Sequence, residues 1–117
     1  MKLNLRGNLI GCNLSFVKLI SEIIGTNKVL TSLNLSHNLI SDLGLIKDSL
    51  LRNNSIKKIN LGFNSLGELS SNLFFIGDII SKNKILKRIN LCNNELVKNK
   101  IEGLKIAICG DILHSRV

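Results

Sequence analysis

The chain offers few side chains that could carry out catalysis. His37 could serve as a general base and Cys92 as a nucleophile. In the arrangement derived below they lie two strands apart, on the order of 10 Å, and no carboxylate falls where it could orient the imidazole. The other His and Cys residues are His114, Cys12 and Cys109, and they show none of the spacings that hold a metal ion. We therefore predict that the protein is not an enzyme and needs no cofactor or metal.

Positive charge is the second chemical feature. Lys and Arg number 16 against 8 Asp and Glu, which gives a formal net charge of +8. Four of the cations cluster as Lys57, Lys58, Lys87 and Arg88. Such a cluster could bind an acidic protein or a phosphate, or it could be ordinary solvated surface. Single-stranded nucleic acid is less favoured, because its binding sites stack bases on aromatic side chains. Phe63 is the only aromatic residue predicted on the same sheet face as these cations.

These residues belong to an internal repeat. Residues 30–40 follow the pattern L-x-x-L-x-L-x-x-N-x-I. The pattern positions are Leu30, Leu33, Leu35, Asn38 and Ile40. The pattern returns in residues 56–66 and 86–96, and in residues 3–10 without its first position. Self-similarity of this kind is typical of a chain built from stacked units.

The repeat resembles that of leucine-rich repeat proteins, and its length of 26 to 30 residues is similar to the ribonuclease-inhibitor type. The resemblance implies an α/β fold, a right-handed solenoid with a parallel β-sheet on the concave face and α-helices on the convex face. It implies one domain over residues 1–117. The repeats are expected at about residues 1–29, 30–55, 56–85 and 86–112, followed by a truncated fifth start near Leu113.

Within each repeat the pattern predicts a short strand and then a helix. The helices are predicted near residues 13–24, 43–52, 68–81 and 98–109. Ser41 and Asp42 are good residues to cap the second helix. The second repeat is four residues shorter than its neighbours, about one helical turn. Its helix is therefore predicted to start a turn later while the strands stay in register.

The first helix carries several apolar residues at offsets of three and four. The predicted core-facing stripe is Phe16, Leu19, Ile20, Ile23 and Ile24. Gly25 follows as a plausible end of this helix.

The side chains between the inward leucines point to the opposite face of the sheet, where they form columns across the strands. In the resembling family this face makes most partner contacts. The predicted partner-binding positions are Asn4, Arg6, Asn34, Ser36, His37, Lys58, Asn60, Phe63, Arg88, Asn90, Cys92 and Asn93. The column of Asn4, Asn34, Asn60 and Asn90 could be a hydrogen-bonding platform or a relic of recent duplication.

A second set of asparagines ends each strand and is predicted to be structural. These are Asn8, Asn38, Asn64 and Asn94. A buried Asn must find hydrogen-bond partners, and the backbone of neighbouring turns would supply them. We therefore predict a ladder of side-chain amides running from repeat to repeat.

The resemblance and the charge together imply a module that binds another protein, an acidic one being favoured. RNA or another polyanion is the alternative partner, and a repeat segment of a larger receptor-like or effector protein is the third possibility. Terminal repeats need polar caps, whereas here Leu3, Leu5 and Ile10 lie beneath an unprotected strand edge. The edge predicts a homo-oligomer through the uncapped ends, or caps supplied by a parent chain.

The sequence also bears on the compartment. Three cysteines without paired spacing indicate reduced thiols. No apolar run approaches the roughly 18 residues that a membrane span requires, and no signal peptide is recognisable. We therefore expect a cytoplasmic protein with no membrane contact.

Overall fold

Short strands and helices alternate along the chain. The computed structural model describes residues 1–96 and 111–113. The strands are β1 (Lys2–Asn4), β2 (Ser32–Asn34), β3 (Lys58–Asn60), β4 (Arg88–Asn90) and β5 (Asp111–Leu113). The helices are α1 (Leu14–Thr26), α2 (Gly44–Arg52) and α3 (Ser71–Lys82), with 3₁₀ helices at Ile10–Cys12 and Leu66–Glu68. Strands β1 to β4 are parallel and adjacent in chain order. The predicted α/β class with a parallel sheet is confirmed.

The register of the four parallel strands aligns equivalent residues of the repeat. The central row is Leu3, Leu33, Ile59 and Ile89. The rows on either side of it are Lys2, Ser32, Lys58 and Arg88, and Asn4, Asn34, Asn60 and Asn90. Successive residues of a strand point to opposite faces, so the outer rows share the face that points away from the core.

The core lies between the sheet and one layer of helices. Leu33 and Ile59 are each 2% exposed, and Ile46 of α2 is fully buried in the same cluster. The strands contribute one apolar row each, and no strand is long enough to fold alone. Stacking the repeats joins these rows into one continuous core, which is the arrangement that repeat architectures require.

The predicted apolar stripe of α1 is partly wrong. Phe16 and Leu19 are 49% and 54% exposed, whereas Val17 is buried beside Ile20 and Ile24. The buried positions follow the i, i+3, i+7 spacing of a helix face. Because α1 is apolar on much of its circumference, periodicity alone did not fix which stripe faces the core. The helix also continues one residue past Gly25 and ends at Thr26.

The predicted shortening of the second helix is confirmed. α2 has 9 residues, against 13 in α1 and 12 in α3, and the strands on both sides of it keep their register. Asp42 Oδ1 accepts a hydrogen bond from the Gly44 N–H at 2.8 Å, at the start of α2. The missing turn is therefore removed from the helix and not from the sheet.

The fifth strand differs from the repeat pattern. β5 is present, but it runs antiparallel to β4, with Ile112 opposite Ile89. The expectation of a fifth repeat starting at Leu113 is therefore wrong, since the strand ends at that residue. An antiparallel neighbour occupies the backbone groups of β4 that would otherwise form an open edge. The predicted helix near residues 98–109 lies outside the described residues.

Candidate functional site

The asparagines in the outer row of the sheet, here called the face asparagines (Asn4, Asn34, Asn60 and Asn90), all make the same local hydrogen bond. Oδ1 accepts from the backbone N–H two residues later, at 3.0 Å in the first repeat and 2.9 Å in the other three. This Asx turn ends the strand and fixes the orientation of the amide. The column therefore has a structural role in addition to the two explanations considered from the sequence.

The other end of each amide is available. Within residues 1–96, no hydrogen bond joins the Nδ2 group of a face asparagine to another described residue. Each Nδ2 carries two N–H donors, and neighbouring strands place these groups about 4.8 Å apart. The sheet thus presents a regular row of donors that form no hydrogen bond within residues 1–96.

A shallow depression of ≈ 210 Å³ lies over this part of the sheet. It is lined by Ser32, Leu33, Asn34, Lys58, Ile59, Asn60, Arg88 and Asn90. The Lys58 ammonium forms no ion pair with any residue between 1 and 96. The acidic residues of that range are Glu22, Asp42, Asp48, Glu68, Asp78 and Glu95, and none of them belongs to a strand. Within residues 1–96 the charged residues of this lining are therefore the cations Lys58 and Arg88, while Asp111 of β5 is the register partner of Asn90.

The next column toward the carboxyl ends of the strands is less accessible than predicted. Ser36 is 4% exposed, and its hydroxyl donates to Asn34 Oδ1 at 2.7 Å. Gly62 is buried, and Cys92 is half-buried with its N–H bonded to Asn90 Oδ1. Because the Ser36 side chain is buried and its hydroxyl is hydrogen-bonded within the fold, we remove it from the predicted contact residues. Arg6 remains exposed.

The residues that precede the ladder asparagines adopt left-handed backbone geometry. φ is 73° at Gly7, 57° at His37, 52° at Phe63 and 59° at Asn93. The rings of His37 and Phe63 stack with their centroids 4.3 Å apart and an interplanar angle of 10°. Arg6 Nη2 lies 3.4 Å from His37 Nε2. Phe63 is 49% exposed, so this row extends the polar face with one accessible aromatic edge.

The predicted ladder positions form a chain of hydrogen bonds from repeat to repeat. Asn38 Oδ1 accepts from Asn8 N–H at 2.7 Å, and Asn64 Oδ1 accepts from Asn38 N–H at 2.9 Å. Asn94 Oδ1 accepts from Asn64 N–H at 3.2 Å. Each Nδ2 donates to carbonyls of its own repeat and, from Asn38 onward, of the preceding repeat. These side chains hold the loops together and are not free to bind a partner.

A second ladder at the opposite ends of the strands was not assigned from the sequence. Asn53 Oδ1 accepts from Ser55 and Ile56 N–H groups, while Nδ2 donates to Ile24 O at 2.8 Å. Asn83 repeats the arrangement one repeat later, with Nδ2 2.7 Å from Leu50 O. These asparagines cap the end of the preceding repeat's helix. Their alignment at equivalent positions was the available signal.

No reactive cluster is found in the part of the chain that the structure describes. The ring of His37 contacts Phe63 and Arg6 there, and no acidic side chain is among those contacts. No group of three His, Cys, Asp or Glu side chains comes together within those residues. Among the described helices, none combines the length and apolar character that crossing a bilayer demands.

Comparison with known proteins gives little to add to this geometry. No family model matches the chain, and no solved structure matches it. A segment of 21 residues is 81% identical to the aspartate carbamoyltransferase catalytic subunit of Hyphomonas neptunium (strain ATCC 15444). The segment covers 18% of this chain and 7% of that protein. A match over so small a part of the enzyme is too short to indicate an enzymatic function here.

Proposed function

We propose that the chain is a right-handed leucine-rich-repeat solenoid that binds another protein through the exposed face of its sheet, with no chemistry of its own. The row of open Nδ2 donors on Asn34, Asn60 and Asn90 carries the proposal. Four repeated units in register, each tied to the next by ladder asparagines, support the solenoid. Right-handed crossovers are the rule between parallel strands.

The donors define the chemistry of the partner. A side chain held by its Asx turn loses little conformational freedom when it binds, so each hydrogen bond retains more of its free energy. Amide and ammonium donors require acceptors, and carboxylates accept the strongest such bonds. Because Lys58 and the face asparagines line the same depression, we propose an acidic protein segment as the partner.

Selection from a library of displayed protein domains tests the proposal. The selected pool is rebound to the Asn60→Ala variant and to Asn54→Ala, which changes an exposed Asn outside the sheet. We expect Asn60→Ala to weaken binding about tenfold, the equivalent of about 1.4 kcal/mol, and Asn54→Ala to leave it unchanged. Equal binding to both variants would show that the partners use another surface.

A polyanion is the second candidate, favoured by the cations Lys57, Lys58 and Lys87, which lie at the start of β3 and β4 or one residue before it. Binding to phosphates falls steeply with salt because condensed counterions are released. However, one face of Phe63 is covered by His37, which reduces its value for stacking a base. Titration with polyuridylate and with poly-L-glutamate at two salt concentrations separates the cases. Tight, salt-sensitive binding of polyuridylate that is unchanged by Asn60→Ala would favour a polyanion as the partner.

A further inference from the structure

The two edges of the sheet differ. The described sheet ends in the antiparallel strand β5 on one side and in β1 on the other, and β1 is paired only with β2. Toward β2, Met1 O accepts from Thr31 N–H and Leu5 N–H donates to Asn34 O, both at 2.8 Å. Backbone groups alternate in direction along a strand. The N–H and C=O groups of Lys2 and Asn4 therefore point to the open side of β1.

The first helix exposes an apolar stripe toward the same end of the molecule. Phe16 and Leu19 are about half exposed, and Ile23 is half-buried. α2 lies on the side of α1 that carries Gly25, where an added methyl group would stand 2.7 Å from the Arg52 guanidinium. At roughly 100° per residue, the stripe of Phe16, Leu19 and Ile23 faces away from that side. The open strand edge and the apolar stripe thus form one surface.

We propose that a second copy of this chain covers that surface, with β1 pairing antiparallel to β1 of the partner copy about a two-fold axis at Leu3. This pairing aligns Lys2 with the partner's Asn4, and the two equivalent pairs exchange four backbone hydrogen bonds. No lysine then stands opposite a lysine. The two α1 helices lie on the same side of the joined sheet and bury Phe16 and Leu19 against each other.

The symmetry of the contact predicts the size of the assembly. A two-fold contact uses the same surface on both copies and closes after one pairing. The other edge strand, β5, takes no part in this contact, so the pairing of β1 with β1 joins two copies and does not by itself add a third. We therefore expect a dimer and no longer polymer. This dimer is independent of the partner-binding face, since the outer rows of the sheet stay exposed.

Sedimentation equilibrium from micromolar to millimolar concentration tests the dimer. Leu19→Glu is compared with Phe74→Glu, which places the same charge on an apolar residue of α3 that is 77% exposed. We expect the chain and Phe74→Glu to form the same dimer, and Leu19→Glu to weaken it at least tenfold. A monomer throughout, an open-ended series of oligomers, or equal effects of the two variants would overturn the proposal.

Salt gives an independent readout. Each copy carries a formal net charge of +8, so the copies repel one another and added salt screens that repulsion. Dimerisation through an apolar surface is expected to strengthen at higher salt. An association that weakens with salt would instead indicate contacts between opposite charges and would count against this surface.

The register is tested by a disulfide. In a chain whose native cysteines are replaced by Ser, Leu3→Cys places two thiols at the two-fold axis, about 4.5 Å apart at Cα, which suits a disulfide. Leu5→Cys is the matched control, because the axis aligns Leu5 with the partner's Met1. Air oxidation is expected to yield a covalent dimer for Leu3→Cys and none for Leu5→Cys. The reverse result would overturn this register and the proposal with it.

Discussion

Two sets of asparagines that stand four residues apart in every repeat differ in their burial and hydrogen bonding. Asn38 is fully buried and makes five hydrogen bonds, through both atoms of its amide. Asn34 uses its oxygen for a local turn and leaves its nitrogen open. The same residue type, repeated at the same period, is thus fully hydrogen-bonded inside the fold in one row and only partly hydrogen-bonded at the surface in the other.

The difference lies in which groups surround the amide. A buried amide that loses a partner pays the full desolvation cost of the group left behind, whereas an exposed amide exchanges its partner for water. The ladder asparagines therefore contribute to the stability of the chain, and we propose that the face asparagines contribute to recognition.

The largest effect is expected from Asn38→Ala. The substitution leaves Asn8 and Ile10 N–H groups and the Leu35 carbonyl without their partner. We expect the free energy of unfolding to fall by about 3 kcal/mol, since each buried orphan group costs about 1 kcal/mol or more. Urea denaturation measures this loss. Asn34→Ala is the control, and a loss from Asn38→Ala no larger than that of the control would remove the distinction between the rows.

Asn53→Ala tests the second ladder and is expected to have the next largest effect. Asn53 donates to Ile24 O and Asn27 O of the preceding repeat, whereas Asn27 has no described repeat before it and shows only the two acceptor bonds from Val29 and Leu30. We expect losses of about 2 kcal/mol for Asn53→Ala and about 1 kcal/mol for Asn27→Ala. Thermal unfolding of both variants measures how much the hydrogen bonds between repeats stabilise the chain. Equal losses of stability would show that these bonds contribute nothing.

The repeat pattern predicted part of this architecture and missed the rest for identifiable reasons. The parallel strands and their register follow from the spacing of Leu33, Ile59 and Ile89, because a one-residue slip would expose a whole strand. The stripe of α1 was misplaced because Val17 and Leu19 are equally apolar, so packing against the neighbouring elements decided between them.

The site shows the same division. The position of the face asparagines could be predicted, since the alternation of a strand fixes the face. The Asx turns could not be predicted, and neither could the hydrogen bond by which the Ser36 hydroxyl donates to Asn34 Oδ1. Both depend on the exact positions of side-chain atoms, which the sequence pattern does not give. The capping role of Asn53 and Asn83 depends on carbonyls some thirty residues earlier, which no local pattern reveals.

Asn60→Ala is expected to affect stability little and recognition strongly. Its oxygen makes one bond to Gly62 N–H, so the free energy of unfolding should fall by less than about 1 kcal/mol. Comparison of its urea midpoint with that of Asn38→Ala measures the contrast directly. A loss as large as that of Asn38→Ala would mean that the face column is structural in the same sense as the ladder.

The smallest expected effect lies in the left-handed residues that immediately precede or follow the ladder asparagines. Glu95 is exposed and has φ of 55°, a conformation that costs a non-glycine residue about 1 kcal/mol. Glu95→Gly removes this strain, although glycine also gains freedom in the unfolded chain, so we expect stability to rise by about 0.5 kcal/mol or less.

Phe63→Gly relieves similar strain, at φ of 52°, but it also removes the ring that stacks on His37. Stacked aromatic pairs contribute about 0.5 to 1.5 kcal/mol, so we expect this variant to be no more stable than the original chain. The difference between the two glycine variants in urea denaturation then measures the stack itself. If Phe63→Gly stabilises the chain as much as Glu95→Gly, the ring contributes nothing to the fold, and its position beside the donor row would have to be explained by binding alone.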